Sequence, residues 1–295
     1  MVKQFIAGGC SFTFGNELSD DLDGAPSKKT WAHLLKTFAY TKIRVDPTGK
    51  AKPYQIFDRN MKYVCVSSPG SGNPGIARRV FNAVNQAEML GYQDESVGCV
   101  VVMWSFLSRY DWAMPRHRNL EDARWATISP WDTKMADAER HKTLSGSEVQ
   151  QEQWKHKQDL LINTGVTPFA EAIYKHAANE YHETYLSWKS IIWLQNILEK
   201  KKIPYMFTLA DNSLFYNELE HHKNQDSFMT ALHNEIDFTK WFFFGERCMG
   251  FNQWSLMNEY ERGTTHPLDK AHRDAVKLMQ PKFNEIIGGK NVRMD

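Results

Sequence analysis

Phe5-Ile6-Ala7-Gly8-Gly9-Cys10-Ser11-Phe12-Thr13 decides how the rest of the chain is read. An apolar run ends in paired glycines, and a serine follows. This is the pattern of a strand-to-helix turn at the C-terminal edge of an open α/β sheet, where such folds bind ligands. A serine there is within reach of a substrate and needs a base to act as a nucleophile. A candidate base lies at the far end of the chain, in His266-Pro267-Leu268-Asp269-Lys270-Ala271-His272. This stretch opens an amphipathic run over 267–287, with Leu268, Ala271, Ala275, Leu278, Met279 and Phe283 apolar. Plainer roles fit the same residues. Ser11 suits a helix cap, and His266 suits the position before a proline in the first turn of a helix.

Working outward, three more apolar runs read as strands, over 63–67, 98–104 and 204–209. Like 2–7 they are nearly continuous rather than alternating, as in a parallel sheet covered on both faces. Helical patterns over 31–40, 76–90 and 174–198 lie between them, and a shorter one covers 228–236. Strand–helix alternation and right-handed crossovers predict a doubly wound, flavodoxin-like α/β fold. The expected strand order is second, first, third, fourth, with helices on both faces. Phe242-Phe243-Phe244 is a candidate fifth strand, and Pro281 marks a kink or split in the last helix. Residues 111–170 break the rhythm and carry Trp112, Trp125, Trp131 and Trp154. So long an irregular stretch reads as a lid, a small subdomain or a surface for a protein partner. With no internal repeat and no low-complexity linker, residues 1–295 read as one domain with this insertion.

Bulk properties exclude several function classes. Lys and Arg number 36 against 35 Asp and Glu, so there is no basic excess for nucleic acid. Arg116-His117-Arg118 and Lys200-Lys201-Lys202 read as solvated surface. Cys10, Cys65, Cys99 and Cys248 are widely spaced and form no Cys-x-x-Cys pair, which argues against zinc and for thiols in a reducing compartment. His221-His222 and His233 lack the spacing of a metal site. Gly70-Ser71-Gly72 lacks both the Walker lysine and the dinucleotide fingerprint. Neither metal nor cofactor is expected. The N-terminus shows no h-region of a signal peptide, and the apolar stretch 99–104 is too short to span a bilayer. The expected location is the cytosol, or a virion if the gene is phage-borne, without membrane or nucleic-acid partners.

Taken in order, the fragments resemble the SGNH (GDSL-type) hydrolase superfamily over roughly 1–110 and 170–290. In that family a Gly-Asp-Ser block follows the first strand. Here it is Gly9-Cys10-Ser11, with Cys10 in place of the aspartate. Gly70-Ser71-Gly72-Asn73, followed by Ile76 and Arg78-Arg79, is similar to phage-borne members. The resemblance implies Ser11 as nucleophile and His266 as base. It also implies an oxyanion hole of the Ser11 and Gly70 N–H groups with the Asn73 amide. The chain departs from the pattern twice more. The asparagine usual after the third strand is missing from 101–109, leaving Asn73, Ser105 or Arg109 as substitute donors. The aspartate usual three residues before the histidine is Gly263. Glu259, Glu261, Asp211 or a backbone carbonyl of residues 260–264 would then orient His266, while His272 reads as a surface or packing residue. The implied activity is cofactor-free hydrolysis of a small O-acyl ester, an acetylated carbohydrate being suggested by the aromatic insertion. Two alternatives stand beside it. One is an inactive scaffold of the same fold, serving as a structural or binding component such as part of a phage particle. The other is an unrelated flavodoxin-like binding protein in which Ser11 only caps a helix.

Overall fold

The computed structural model describes residues 2–21, 25–37, 41–44, 54–57, 61–89, 95–114, 125–133, 159, 161–216 and 226–288. Strands β1 (Val2–Gly8), β4 (Lys62–Cys65), β5 (Glu95–Trp104) and β8 (Tyr205–Leu209) form one all-parallel sheet in the order β4-β1-β5-β8. That is the order expected from the sequence.

The period of two along a strand explains why these runs are apolar throughout. Phe5, Ala7, Cys99, Val101 and Met103 share one face and one core, with α2 (Trp31–Lys36) and α8 (Asp269–Gly288) packed on it. Ile6, Val100, Val102 and Trp104 share the opposite face, under α3 (Asn73–Met89) and α5 (Glu180–Lys200). The helices present apolar residues at matching spacings: Ala271, Ala275, Met279 and Phe283 on α8, and Ile191, Leu194 and Leu198 on α5.

Three sequence expectations need correction, and one stretch without an expectation gains structure. The pattern over 174–198 is two helices, α4 (Val166–His176) and α5, because Asn179 caps α5 by accepting from His182 N–H. Helix α8 runs unsplit through Pro281, and burial of Met279 and Phe283 on either side of the proline holds it to the sheet. Phe242-Phe243-Phe244 is no strand. Only a single parallel bridge, Phe207 to Trp241, extends the sheet there, with Phe242 N–H donating to the Phe207 carbonyl at 2.8 Å. Phe243 joins one core and Phe244 the other, so the run wraps the sheet edge. Finally, β2 (Thr41–Arg44) and β3 (Tyr54–Phe57) form an antiparallel pair in a stretch the sequence left unassigned.

The described part of the insertion contains a further antiparallel pair, β6 (Tyr110–Ala113) with β7 (Trp125–Ile128). Tyr110, Met114, Ala126 and Ile128 pack with Val166, Ala170 and Ile173 from the α4 region into a small core of their own. Asp111 anchors β6 to α3 through a two-pronged pair with Arg78, at 2.8 and 3.2 Å. Trp154 and the rest of 134–158 lie outside the described residues, as do residues 116–118 and His221-His222. Among the described residues no helix is long and apolar enough to cross a membrane.

Candidate active site

The chain leaves β1 through Gly8 and Gly9 and turns into α1 (Ser11–Phe14), a single helical turn. Gly9 is required for space. A Cβ there would overlap the Thr13 hydroxyl and come within 3.2 Å of the Met103 carbonyl of β5. Thr13 and Phe14 N–H both donate to the Cys10 carbonyl, which fixes Ser11 at the head of the turn. Ser11 is nearly buried, at 8% exposure.

His266 arrives from the loop before α8. Its Nε2 lies 2.7 Å from Ser11 Oγ, across 255 residues of sequence. Phe12 packs edge-on against the imidazole at 4.8 Å. Arg262 holds the loop by donating to Ser255 Oγ (3.1 Å), Asn252 Oδ1 (3.0 Å) and the Thr265 carbonyl (2.5 Å). Gly263 N–H donates to the His266 carbonyl at 2.9 Å.

None of the carboxylates expected to orient His266 does so. Asp211 caps a short turn, accepting from Ser213 N–H and from the Gln253 amide. Glu259 and Glu261 are exposed. No carbonyl of residues 260–264 is bonded to the ring either. Nδ1 instead faces Thr265 Oγ1 at 2.8 Å and Glu17 Oε2 at 3.3 Å. Sequence reasoning missed Glu17 because it weighed only carboxylates in the C-terminal part of the chain, Asp211, Glu259 and Glu261, whereas Glu17 follows the serine's own helix and reaches His266 only through the fold. Burial lowers the His266 pKa below its usual 6.5. The Arg262 and Arg109 charges push the same way, and Glu17 only partly offsets them. The imidazole is therefore neutral near pH 7 and able to accept a proton.

The candidate oxyanion donors separate. Ser11 and Gly70 N–H donate to no acceptor among the described residues. Gly70 has φ +78° in the left-handed region, which glycine adopts without strain, and open space lies where a Cβ would be. Ser68 N–H donates to the Gly9 carbonyl at 3.2 Å, tying the Gly70 loop to the Ser11 turn. Arg79 steadies the same loop through the Val66 carbonyl and the Ser71 hydroxyl.

Asn73 does not offer a free amide. It is fully buried, accepts from Ser105 N–H at 2.7 Å, and donates to the Ser105 carbonyl (3.2 Å) and Ser187 Oγ (3.0 Å). It locks the end of β5 to α3 and has no proton left for substrate. Ser105 is also fully buried, and its hydroxyl accepts from Arg109 Nη1 at 2.9 Å. Of the substitute donors, Ser105 keeps its hydroxyl proton, and Arg109 keeps N–H groups with no acceptor among the described residues. Its guanidinium lies 4.7 Å over the Phe106 ring, and Phe106 in turn neighbours Phe12.

His272 is a buried packing residue. Its Nδ1 accepts from Trp31 N–H at 3.0 Å, and burial pushes its pKa down to about 3. No group of three or more His, Cys, Asp and Glu suited to a metal occurs among the described residues.

No protein-family model and no curated protein sequence matches the chain. Among solved structures, one described as a lipolytic protein of the G-D-S-L family from Desulfitobacterium hafniense DCB-2 is similar at 10% identity and TM-score 0.38, covering 96% of this chain and 99% of that one. A member of the lipolytic G-D-S-L family from Veillonella parvula DSM 2008 is similar at 12% identity and TM-score 0.36, covering 96% of this chain and 97% of that one.

Proposed function

We propose that this protein is a serine hydrolase of the SGNH type that cleaves a small O-acyl ester. The observation that carries this reading is the 2.7 Å approach of Ser11 Oγ to His266 Nε2 at the C-terminal edge of the parallel sheet. A cap serine needs no histidine, and a histidine before an N1 proline needs no serine.

Ser11 Oγ attacks the ester carbonyl carbon while its proton passes to His266 Nε2. The carbonyl oxygen becomes an oxyanion that accepts from the Ser11 and Gly70 N–H groups, with Arg109 as the third donor in place of Asn73. The C–O bond to the leaving group then breaks, and the imidazolium returns its proton to the departing alkoxide. Water, deprotonated by the same imidazole, hydrolyses the acyl-serine and restores the site. The small acyl group is proposed from the near-complete burial of Ser11. An acetylated carbohydrate remains the favoured natural ester, with Trp112 and Trp131, each about half exposed, as indole faces on which a sugar ring stacks.

The test pairs fluorophosphonate labelling with p-nitrophenyl acetate hydrolysis. Wild type should label at Ser11 and turn over, and Ser11→Ala should lose the label and at least about 10³-fold in rate. Equal, unlabelled behaviour of both proteins would move the assignment to a catalytically silent scaffold.

A further inference from the structure

We propose that Glu17 is the positioning carboxylate of this site. Directly and through the Thr265 hydroxyl, it holds His266 in the tautomer whose Nε2 is free to accept the Ser11 proton. The proposal rests on the reading of Ser11 and His266 as nucleophile and base.

Three groups meet behind the imidazole: Nδ1, the Thr265 hydroxyl and the Glu17 carboxylate. An ionised carboxylate only accepts hydrogen bonds. The Thr265 hydroxyl therefore donates its proton to Glu17 Oε1, 3.3 Å away. That turns the lone pairs of Thr265 Oγ1 toward Nδ1 at 2.8 Å. Glu17 Oε2 presents a second acceptor to Nδ1 at 3.3 Å. Facing two acceptors, Nδ1 carries the ring proton, and Nε2 keeps its lone pair for Ser11. When His266 takes the serine proton, the new positive charge forms beside the carboxylate, which stabilises it.

The carboxylate is itself fixed. Glu17 Oε2 accepts from Thr265 N–H at 3.1 Å and His266 N–H at 2.9 Å. Burial alone would raise its pKa, but these hydrogen bonds and the His266 ring outweigh burial, and the net shift is downward from 4.5. Glu17 is thus ionised near pH 7, where His266 is neutral. The backbone makes an unusual approach to place it. Glu17 sits at φ +68° in the left-handed region, two residues after Gly15 at φ +94°, and its N–H donates to Asp21 Oδ2 at 2.8 Å. A non-glycine residue held in that region is strained and needs surrounding structure to enforce it.

Gly263 supplies the independent observation. A Cβ built there would lie 2.5 Å from Glu17 Oε2 and 3.1 Å from Glu17 Cβ. A side chain at 263 and the Glu17 carboxylate compete for one space beside the ring. A carboxylate mounted at 263 can therefore replace one mounted at 17, which a simple loop staple at Glu17 does not predict.

The full-length protein is compared with Glu17→Gln, Thr265→Val, Glu17→Ala and Glu17→Ala/Gly263→Asp. Two readouts are taken: ¹⁵N NMR of the His266 tautomer and titration, and kcat and KM for p-nitrophenyl acetate across pH. The charged and titratable groups around His266 are Glu17, Arg262, Arg109 and His272, and only the first changes in Glu17→Gln. Because Glu17 raises the His266 pKa, Glu17→Gln should lower it further, moving the acid limb of the rate profile to lower pH. The Nδ1–H tautomer should lose its dominance. The kcat should fall about 10²- to 10⁴-fold with KM little changed, by analogy with a triad carboxylate made neutral. Thr265→Val should shift tautomer and kcat the same way by about tenfold. The double variant should recover at least about tenfold over Glu17→Ala and restore the Nδ1–H signal. An unchanged His266 tautomer and titration in Glu17→Gln would overturn the proposal, whether or not the protein hydrolyses esters. Absence of Ser11-dependent turnover in wild type would sink the hydrolase reading alone, since the NMR result still decides Glu17. If Glu17→Gln does not fold, an Nε2–H tautomer in the double variant overturns the proposal and an Nδ1–H tautomer supports it.

Discussion

The Ser11 turn and the loop over 262–268 meet at one hydrogen bond but are held by different means. The turn is held by main chain and by missing side chains. Gly8 and Gly9 pack where a Cβ would collide with Val80 and Thr13, and the Cys10 carbonyl closes the helical turn. The histidine loop is held by side chains that arrive from elsewhere. Arg262 ties it to α7 (Phe251–Met257) through Asn252 and Ser255, and Glu17 crosses from the serine's own arm to grip its backbone. A main-chain device tolerates almost no substitution, whereas a side-chain device can be moved to another position. The two arms should therefore break differently.

Gly9→Ala attacks the serine arm and should have the larger effect. The added methyl must displace Thr13 or the β5 backbone, both buried against the sheet. Overpacking of this kind costs about 1–3 kcal/mol. It also shifts Ser11 relative to His266, and misplacement on the scale of an ångström costs about 10²-fold in rate. The expected outcome is a loss of at least about 10²-fold in p-nitrophenyl acetate hydrolysis, with a drop in melting temperature. Wild-type turnover in Gly9→Ala would show that the serine arm is not fixed by its backbone.

The same contrast explains what the sequence disclosed. Ser11 and His266 were legible because each sits at a marked place, one after a glycine-ended strand and the other before a helix-starting proline. Sheet order was legible because fully buried parallel strands read as unbroken apolar runs. Glu17 was not legible, because nothing local distinguishes it from any surface glutamate. Its partner is 249 residues away and is brought near only by the meeting of α8 with the start of the chain. Asn73 misled for a related reason. Its place beside Gly70 is real, but its amide turns inward to Ser105, a choice made by burial rather than by spacing. The phenylalanine run at 242–244 had strand composition, and only its division between two cores shows it to be edge packing.

Arg262→Met probes the histidine arm and should have an intermediate effect. The methionine keeps an apolar stem but removes the hydrogen bonds to Asn252, Ser255 and Thr265. Loosening the loop should lower kcat/KM about 10- to 100-fold while leaving Ser11 itself in place. The charge gives a second readout. Arg262 lowers the His266 pKa, so its removal should raise that pKa and move the acid limb of the pH–rate profile upward. That direction is opposite to the one expected for Glu17→Gln. Arg262→Met and Glu17→Gln shifting the limb in the same direction would mean that loop disorder, not charge, governs His266.

The smallest expected effect belongs to His272, which joins the two arms without entering the chemistry. Its Nδ1 accepts from Trp31 N–H at the start of α2, so the first turn of α8 is bonded to the N-terminal part of the chain. Burial lowers its pKa from 6.5 to about 3 in the folded state. Below pH 6.5 the unfolded chain takes up a proton here that the folded chain refuses. Stability from this group is thus fully present above about pH 6.5 and is lost progressively as pH falls toward 3. His33, His233 and His266 are lowered by burial too and act with the same sign. Below about pH 4.5, Glu17 and Asp269, whose carboxyls are lowered in the fold, begin to add their own acid loss. The clean window is therefore pH 6.5 to 4.5. His272→Asn keeps an acceptor near Trp31 N–H but cannot titrate. It should be about 1 kcal/mol less stable at pH 7, because the edge-on contact with Phe251 is lost. In urea unfolding across the window, its slope should be shallower than wild type by up to one proton, about 1.4 kcal/mol per pH unit. An identical slope would show that His272 is protonated in the folded protein, and that the joint between the two arms is open to water.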